Sequence, residues 1–322
     1  MRWGVIGLGN IAKRFVESLS KHEGSCLYAV ASYTKEKREE FFKEYNPEVV
    51  YDNYEDLLND SKVEVVYIAL PHKMHKLYTL KALNNFKSVL CEKPAVLFAD
   101  DLLEIREVAY KNKVFYMEAI KTRFIPLMKD IKEMLESQII GDIISVKASF
   151  NYELGLEGLT KDSYIIDSSQ GGALYDIGIY PLNFVVDLLG DDILSVESKM
   201  KRFRNYEVDG YFQAVLTYSD GIKGVIEGAI DRNEERIALI EGTKGIMKIP
   251  VYYRPEYLIC ELNDGTLIKK ENKIVGDDFY GQIEEVYQCI RQSKIESERL
   301  MIEQSYKMIS IIEEIKRKAI ME

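Results

Sequence analysis

The stretch Gly4–Ala12, GVIGLGNIA, constrains this chain more than any other. Gly7, Gly9 and Ala12 fall at the G-x-G-x-x-G/A spacing. Glycines are required there because the strand must turn tightly and a pyrophosphate must approach the backbone, whose free amides at the next helix N-terminus bind the anion. Such a triplet is weak when it stands alone. Here it follows an apolar strand, opens an amphipathic segment and begins a βαβ unit, the context that makes it a dinucleotide site rather than a plain glycine turn.

The rest of the first third keeps the same rhythm. The runs WGVIGLG, LYAVAS, VEVVYIAL, SVLCEK and VFYMEAI alternate with IAKRFVESLSKH, KEKREEFFKEY, HKMHKLYTLKALNN and ADDLLEIREVAYKNK. Continuous β-branched runs bounded by helices imply strands covered on both faces, hence an α/β, doubly wound parallel sheet. After about residue 120 a helical segment, Phe124–Ser137, leads into the strand-like runs DIISVKASFNYEL, YFQAVLTYSDGIKGVIEGAI, RIALIEGTKGIMKIP and YLICELNDGTLIK. Ser219-Asp220-Gly221 and Asn263-Asp264-Gly265 read as turns between antiparallel neighbours. The expected organisation is a Rossmann domain over 1–120 and an α+β domain with a large, open, mostly antiparallel sheet over 121–296. A C-terminal helix at about 297–322 is expected to pack back on the first domain.

The balance of 53 acidic and 43 basic side chains, net −10, works against nucleic acid and anionic membrane as partners. Cys26, Cys91, Cys260 and Cys289 show no CxxC spacing and read as reduced packing residues. No charged leader with an apolar core precedes the first strand, and no apolar run approaches bilayer length. These readings predict a cytoplasmic protein.

Which dinucleotide is bound should be decided at the end of the second strand. An NAD site usually carries an acidic residue there for the ribose 2′-hydroxyl, whereas this chain has Ser32, Tyr33 and Thr34 followed by Lys35, Lys37 and Arg38. No carboxylate repels a 2′-phosphate, so NADP is favoured, with NAD the alternative if the cations only decorate the next helix. Beyond Pro71, which ends the fourth strand, stand His72 and His75. Ribose contact or helix capping suits them better than metal, because no third ligand is suitably spaced.

With RWGVIGLGNIA, VYIALPHKMH, CEKP, MEAIKTRF and GGALYDIGIYPLN in this order, the chain resembles the glucose-fructose oxidoreductase/inositol dehydrogenase/MocA family, and most closely its dimeric dihydrodiol dehydrogenase branch. The resemblance implies that Lys93 of Glu-Lys-Pro lies beside the nicotinamide and the substrate oxygen. It makes Tyr180 the acid/base and Asp176 the residue that binds or orients substrate. It places Gly7, Gly9, Asn10 and Ile11 on the pyrophosphate, Ser32 and Tyr33 near the adenosine ribose, and Leu70, His72 and His75 toward the nicotinamide; Lys37 and Glu92 are further cofactor-binding candidates. Two departures stand out: Tyr33 where an arginine often reads the 2′-phosphate, which weakens the NADP reading, and Gln170 in place of the first glycine of a three-glycine run.

The chemistry of these residues agrees. Proline disfavours the helical region for the residue before it, so Lys93 is held extended at the strand end; whether the Lys93–Pro94 bond is cis stays open. Alcohol oxidation needs a proton acceptor as hydride leaves carbon, and a free tyrosine, with a pKa near 10, is mostly protonated at neutral pH. A nearby ammonium favours the phenolate; a shift of about 2 units needs roughly 2.7 kcal/mol. The blander readings are Lys93 paired with Glu92, Tyr180 as packing, and Arg123 pairing with an acid rather than touching substrate or cofactor. Asp176 and Tyr180 share a face if their stretch is one helix, although Pro181 would kink or restart it. Phe279 is a candidate lid residue over substrate. The expected activity is an NAD(P)-dependent, NADP-preferring oxidoreductase acting on a secondary alcohol or carbonyl of a sugar, polyol or trans-dihydrodiol; a non-enzymatic cofactor-binding regulator is the alternative. The alternating surface Tyr211, Phe212, Val215 and Tyr218 should pack on helices on one side and on a second subunit on the other, giving a homodimer or homotetramer.

Overall fold

Six strands carry the first part of the chain: Arg2–Ile6 (β1), Cys26–Ala31 (β2), Val49–Tyr51 (β3), Val65–Ile68 (β4), Ser88–Glu92 (β5) and Tyr116–Ala119 (β6). In the computed structural model they pair in the order β3-β2-β1-β4-β5-β6, every pair parallel. The structure describes residues 1–157, 159–161 and 163–321; Gly158, Asp162 and Glu322, the last of these ending the expected C-terminal helix, lie outside the described residues. Helices Asn10–Leu19 (α1), Lys35–Tyr45 (α2), Tyr54–Asn59 (α3), His75–Asn84 (α4) and Asp101–Asn112 (α5) follow the first five strands in turn. Val5, Ile6, Val66, Tyr67, Val89 and Leu90 are fully buried, as strands covered on both faces require. β3 and α3 do not show in the sequence pattern, since a three-residue strand gives no readable alternation.

The remaining elements are Pro126–Glu136 (α6), Ile143–Asn151 (β7), Ala173–Asp176 (α7), Ile179–Leu189 (α8), Ile193–Arg202 (β8), Asp209–Tyr218 (β9), Lys223–Ala229 (β10), Ile237–Gly242 (β11), Gly245–Pro250 (β12), Tyr257–Leu262 (β13), Leu267–Glu271 (β14), Tyr280–Arg291 (α9), Ile302–Lys318 (α10) and Ile320–Met321 (β15). A nine-stranded sheet runs β14-β13-β12-β11-β7-β10-β9-β8-β15. Only β10–β7 and β15–β8 pair parallel. The two Asp-Gly turns join antiparallel neighbours as expected, β9 to β10 and β13 to β14. In each, the aspartate accepts the N–H two residues on, at 3.0 Å for Asp220 and 2.9 Å for Asp264. One face of this sheet is buried beneath helices: α8 lies on β7 and β10, and α7 on β9. A Cβ on Gly224 of β10 would stand 2.5 Å from Val185, so the glycine sets how closely α8 approaches.

Grouped by contacts, Met1–Lys121 and Val275–Tyr306 form one unit, and Thr122–Ile274 and Lys307–Glu322 the other. This differs from the expected limits of 121–296 and 297–322. Residues from Val275 return to the first unit because its buried groups take hold of them: the amide of Tyr116 donates to the carbonyl of Ile295 at 2.8 Å, and Ser305 donates to Glu118 at 2.6 Å. The later part of α10 goes with the second unit, where β15 extends the sheet beside β8 and Ser198 donates to the Ile315 carbonyl at 2.7 Å.

Candidate active site

In the first unit the strand order reverses between β1 and β4, the place where open parallel sheets bind ligands at the carboxyl ends of their strands. Gly7 has φ +86°, and a Cβ there would lie 2.2 Å from the Ala69 carbonyl oxygen, so the loop is pressed against the end of β4. Around Gly9 the opposite holds: nothing lies within 4 Å of an added Cβ. α1 begins just after Gly9 with no side-chain cap, which leaves the amides of Asn10 and Ile11 available to an anion. This cradle fits a dinucleotide pyrophosphate.

At the end of β2, Ser32 is buried and its hydroxyl accepts the Thr34 amide at 3.2 Å. Tyr33 is 57% exposed, stands edge-on to Tyr54, and donates to Glu55 at 3.0 Å. Hydrogen bonding to Tyr78, burial and Glu55 together raise its phenol pKa. Sequence reasoning missed Glu55, because α3 that carries it left no signal; its charge is met by Lys81. Lys37, the expected cation, is exposed on α2. Arg38 instead brings its guanidinium to the strand end, donating to the Ser32 carbonyl at 2.6 Å. Helical spacing accounts for the exchange: Arg38 is one full turn beyond Thr34, which precedes α2, and its amide bonds to the Thr34 carbonyl.

At the end of β5, Glu92 is buried and accepts from the Tyr67 hydroxyl and from the Lys93 amide, the latter at 3.3 Å. Burial raises its carboxyl, against the pull of Tyr67, Lys93 and Lys121. The Lys93–Pro94 bond is cis. Leu70 and His72, expected near the nicotinamide, are both buried just past β4. His75 is fully buried, with Nδ1 2.8 Å from the Pro94 carbonyl oxygen and Nε2 2.8 Å from that of Leu70. It therefore ties the loop after β5 to the loop after β4, and the expectation of a cofactor contact is corrected to a structural role. Burial lowers its pKa, opposed by the two carbonyls and reinforced by the charge of Lys93.

Phe279 is also relocated. It is 1% exposed, with Arg14 and Lys121 over its ring at 5.0 and 4.7 Å from the centroid, and both cations pair with Asp278. Burial pushes the Asp278 carboxyl up, but Asp277, Lys121 and Arg14 hold it down at about 2. An aromatic ring packed under two paired cations is a core residue and not a lid.

In the second unit the stretch after Gly172 is not one helix. α7 ends at Asp176 and α8 starts at Ile179; at Gly178 between them a Cβ would stand 2.4 Å from the Leu174 carbonyl oxygen. Asp176 is 8% exposed and accepts from Tyr152 at 3.0 Å and from Tyr164 at 3.2 Å. Tyr180 stacks on Phe150, centroids 5.2 Å apart, and Phe150 meets Tyr253 at 4.6 Å. Arg236 lies over the Phe150 ring and donates to the Tyr253 hydroxyl at 3.2 Å. Arg123 donates to Asn183 at 2.6 Å and lies 3.5 Å from Asp187, the pairing alternative for this residue. Gln170 keeps its turn closed by donating to Asp167 at 2.7 Å. Phe150, Tyr152, Tyr164 and Tyr253 were not singled out in the sequence, because no motif surrounds them.

Two family models match the chain: residues 1–120 fit the oxidoreductase family with an NAD-binding Rossmann fold, and residues 128–248 fit the GFO/IDH/MocA C-terminal domain. The chain belongs to the GFO/IDH/MocA oxidoreductase family. Among its relatives, the trans-1,2-dihydrobenzene-1,2-diol dehydrogenase of Mus musculus is 33% identical over 327 residues, covering 99% of this chain and 97% of the mouse protein. The enzyme of that name from Homo sapiens is 30% identical, with 99% and 97% covered. In fold the chain is similar to KijD10, a 3-ketoreductase from Actinomadura kijaniata crystallised with NADP and TDP-benzene: TM-score 0.92, 24% identity, 100% of this chain and 98% of that one. An aldose-aldose oxidoreductase from Caulobacter crescentus complexed with glycerol gives TM-score 0.88 at 21% identity, covering 99% and 97%. This member of the family is an oxidoreductase with an NAD(P)-binding Rossmann domain.

Proposed function

We propose that this protein is an NADP-preferring dehydrogenase that oxidises a secondary alcohol next to a second hydroxyl, with a trans-dihydrodiol as the substrate class. The observation that carries the reading is the neighbourhood of Tyr180: an aromatic wall made by Phe150, stacked on Tyr180, and by Tyr253, tilted 47° to Phe150, with a buried carboxylate, Asp176, four residues before it. An unsaturated ring suits the wall, and a hydroxyl suits the carboxylate. The name carried by the mouse and human relatives supports the same class.

A bound nicotinamide would supply the hydride acceptor for oxidation of the carbinol to a carbonyl, and the hydride donor for the reverse. The amides after Gly9 bind the pyrophosphate, and Arg38, with Lys37 as a solvent-side cation, favours the 2′-phosphate. Lys93 supplies positive charge to the substrate oxygen, and Tyr180 takes up the hydroxyl proton, giving it back in the reverse direction. Burial raises the phenols of Tyr152 and Tyr252. Asp176 accepts a hydrogen bond from the neighbouring hydroxyl.

The protein is proposed to act in the cytoplasm as a homodimer or homotetramer joined through the open face of the nine-stranded sheet, with a small molecule and neither nucleic acid nor membrane as its partner. Among the described residues no helix is long and apolar enough to cross a membrane. The test follows NADPH formation with trans-1,2-dihydrobenzene-1,2-diol, inositols and aldoses. Turnover greatest with the diol, lost in Lys93→Met while NADPH still binds, supports the reading. Faster turnover of aldoses or inositols would replace the substrate class, and tight NADPH binding without turnover on any of the panel would favour a regulator.

A further inference from the structure

Asp176 closes a helix only four residues long, so α7 by itself cannot hold the carboxylate in one orientation. Two phenols do. Tyr152 donates to Oδ2 and Tyr164 to Oδ1, at 3.0 and 3.2 Å, one to each oxygen.

Each phenol comes from a backbone that is itself fixed. The amides of Tyr152 and Leu154 donate to the carbonyls of Ala229 and Ile230 at 2.9 and 2.8 Å, and Glu153 bridges Asp231, so the chain follows β10 beyond the end of β7. Tyr164 opens the turn Tyr164–Ile166, whose Ile165 carbonyl accepts the Gly172 amide at 2.9 Å. A Cβ on Gly171 would lie 2.3 Å from that same oxygen, so the glycine pair lets the turn sit directly against the start of α7. Burial also raises the Tyr152 phenol, which keeps it a proton donor.

We propose that Tyr152 and Tyr164 are positioning residues that orient the Asp176 carboxylate for a substrate hydroxyl. They do not touch the reacting atoms; they fix the carboxylate plane, so that Asp176 accepts a hydrogen bond from substrate and Tyr180 alone carries the proton. The inference rests on the proposed role of Asp176 toward substrate.

A kinetic double-mutant cycle tests it, using the panel substrate with the highest kcat/KM. Tyr164→Phe is the primary variant because Tyr164 is 38% exposed and the change keeps its ring; Tyr152→Phe is the second. Each should raise KM about tenfold, the size of one hydrogen bond to a charged group, with kcat within about twofold of wild type and the Kd for NADPH unchanged. In an Asp176→Asn background either change should add less than about twofold, because residues acting through one group are not additive. Equal losses in both backgrounds would overturn the proposal and make the tyrosines merely structural. An Asp176→Asn enzyme with wild-type kcat and KM would remove the substrate role of Asp176 itself, a result distinct from additive losses.

Discussion

Gly7 and Gly9 stand two positions apart in one loop and answer to different constraints. Gly7 combines φ +86° with a neighbour that a Cβ would meet at 2.2 Å, whereas Gly9 faces open space. Gly7→Ala should therefore lower the melting temperature by several degrees, since strained backbone alone costs of order 1–3 kcal/mol. Gly9→Ala should melt like wild type and bind NADPH at least about tenfold more weakly, as read by fluorescence titration, because its methyl fills the place the phosphates approach. At the strand end, Arg38→Gln should weaken 2′,5′-ADP binding about tenfold and leave 5′-AMP unchanged, as loss of one charge-assisted contact does. Lys37→Gln should change either by less than about twofold, being an exposed charge. The glycine loop was readable because its turn needs neighbours in sequence. His75, Arg123 and Phe279 were misplaced or left open because their partners are far away: Pro94, Asn183 and Arg14.

The long elements were legible and the short ones were not. Alternation identified β9 and β10, and each Asp-Gly turn gave the pairing of its neighbours. It also shows how the four residues named for the alternating surface divide: Phe212 and Tyr218 point to the helix side of β9, while Tyr211 and Val215 lie on the other face. The break between α7 and α8 depends on Gly178 meeting the Leu174 carbonyl, a contact no periodicity reports. At the other end of α7, Asp209 accepts the Leu174 amide at 2.7 Å, and burial raises its carboxyl to about 6 despite that bond. The folded state thus holds this proton more tightly than the unfolded chain. What the group contributes to stability is greatest below about pH 4 and declines, by at most about 3 kcal/mol, as pH rises through 6. Asp209→Asn keeps an acceptor for the amide without the buried charge. Its melting temperature relative to wild type should rise between pH 4 and pH 7; a constant difference would count against the cap as a buried charge.

For the molecule as a whole, the alternation of strand and helix revealed the fold class, and the change of rhythm near residue 120 revealed the second sheet. The return of Val275–Tyr306 to the first unit was hidden, because it depends on Asp278, Glu284 and Ser305 meeting Lys121, His22 and Glu118 from the other end of the sequence. The open face of the nine-stranded sheet presents one continuous row, Lys269, Ile259, Lys248, Leu239, Lys147, Val225, Val215 and Glu197, each residue opposite the next across paired strands. Its half-buried aliphatic residues, Ile259, Leu239, Val225 and Val215, are the part of the row a second subunit would cover. Val225→Glu should shift the protein toward monomer in light scattering at micromolar concentration, whereas a wild type that is monomeric there would remove the assembly.

Three of the four cysteines are buried, and Cys26, where β2 begins, is exposed. In a parallel sheet that position lies at the amino end, whereas the glycine loop and Lys93 follow the carboxyl ends of their strands. A maleimide dye added to the native enzyme should therefore attach at a single address remote from the glycine loop, and leave the Kd for NADPH unchanged.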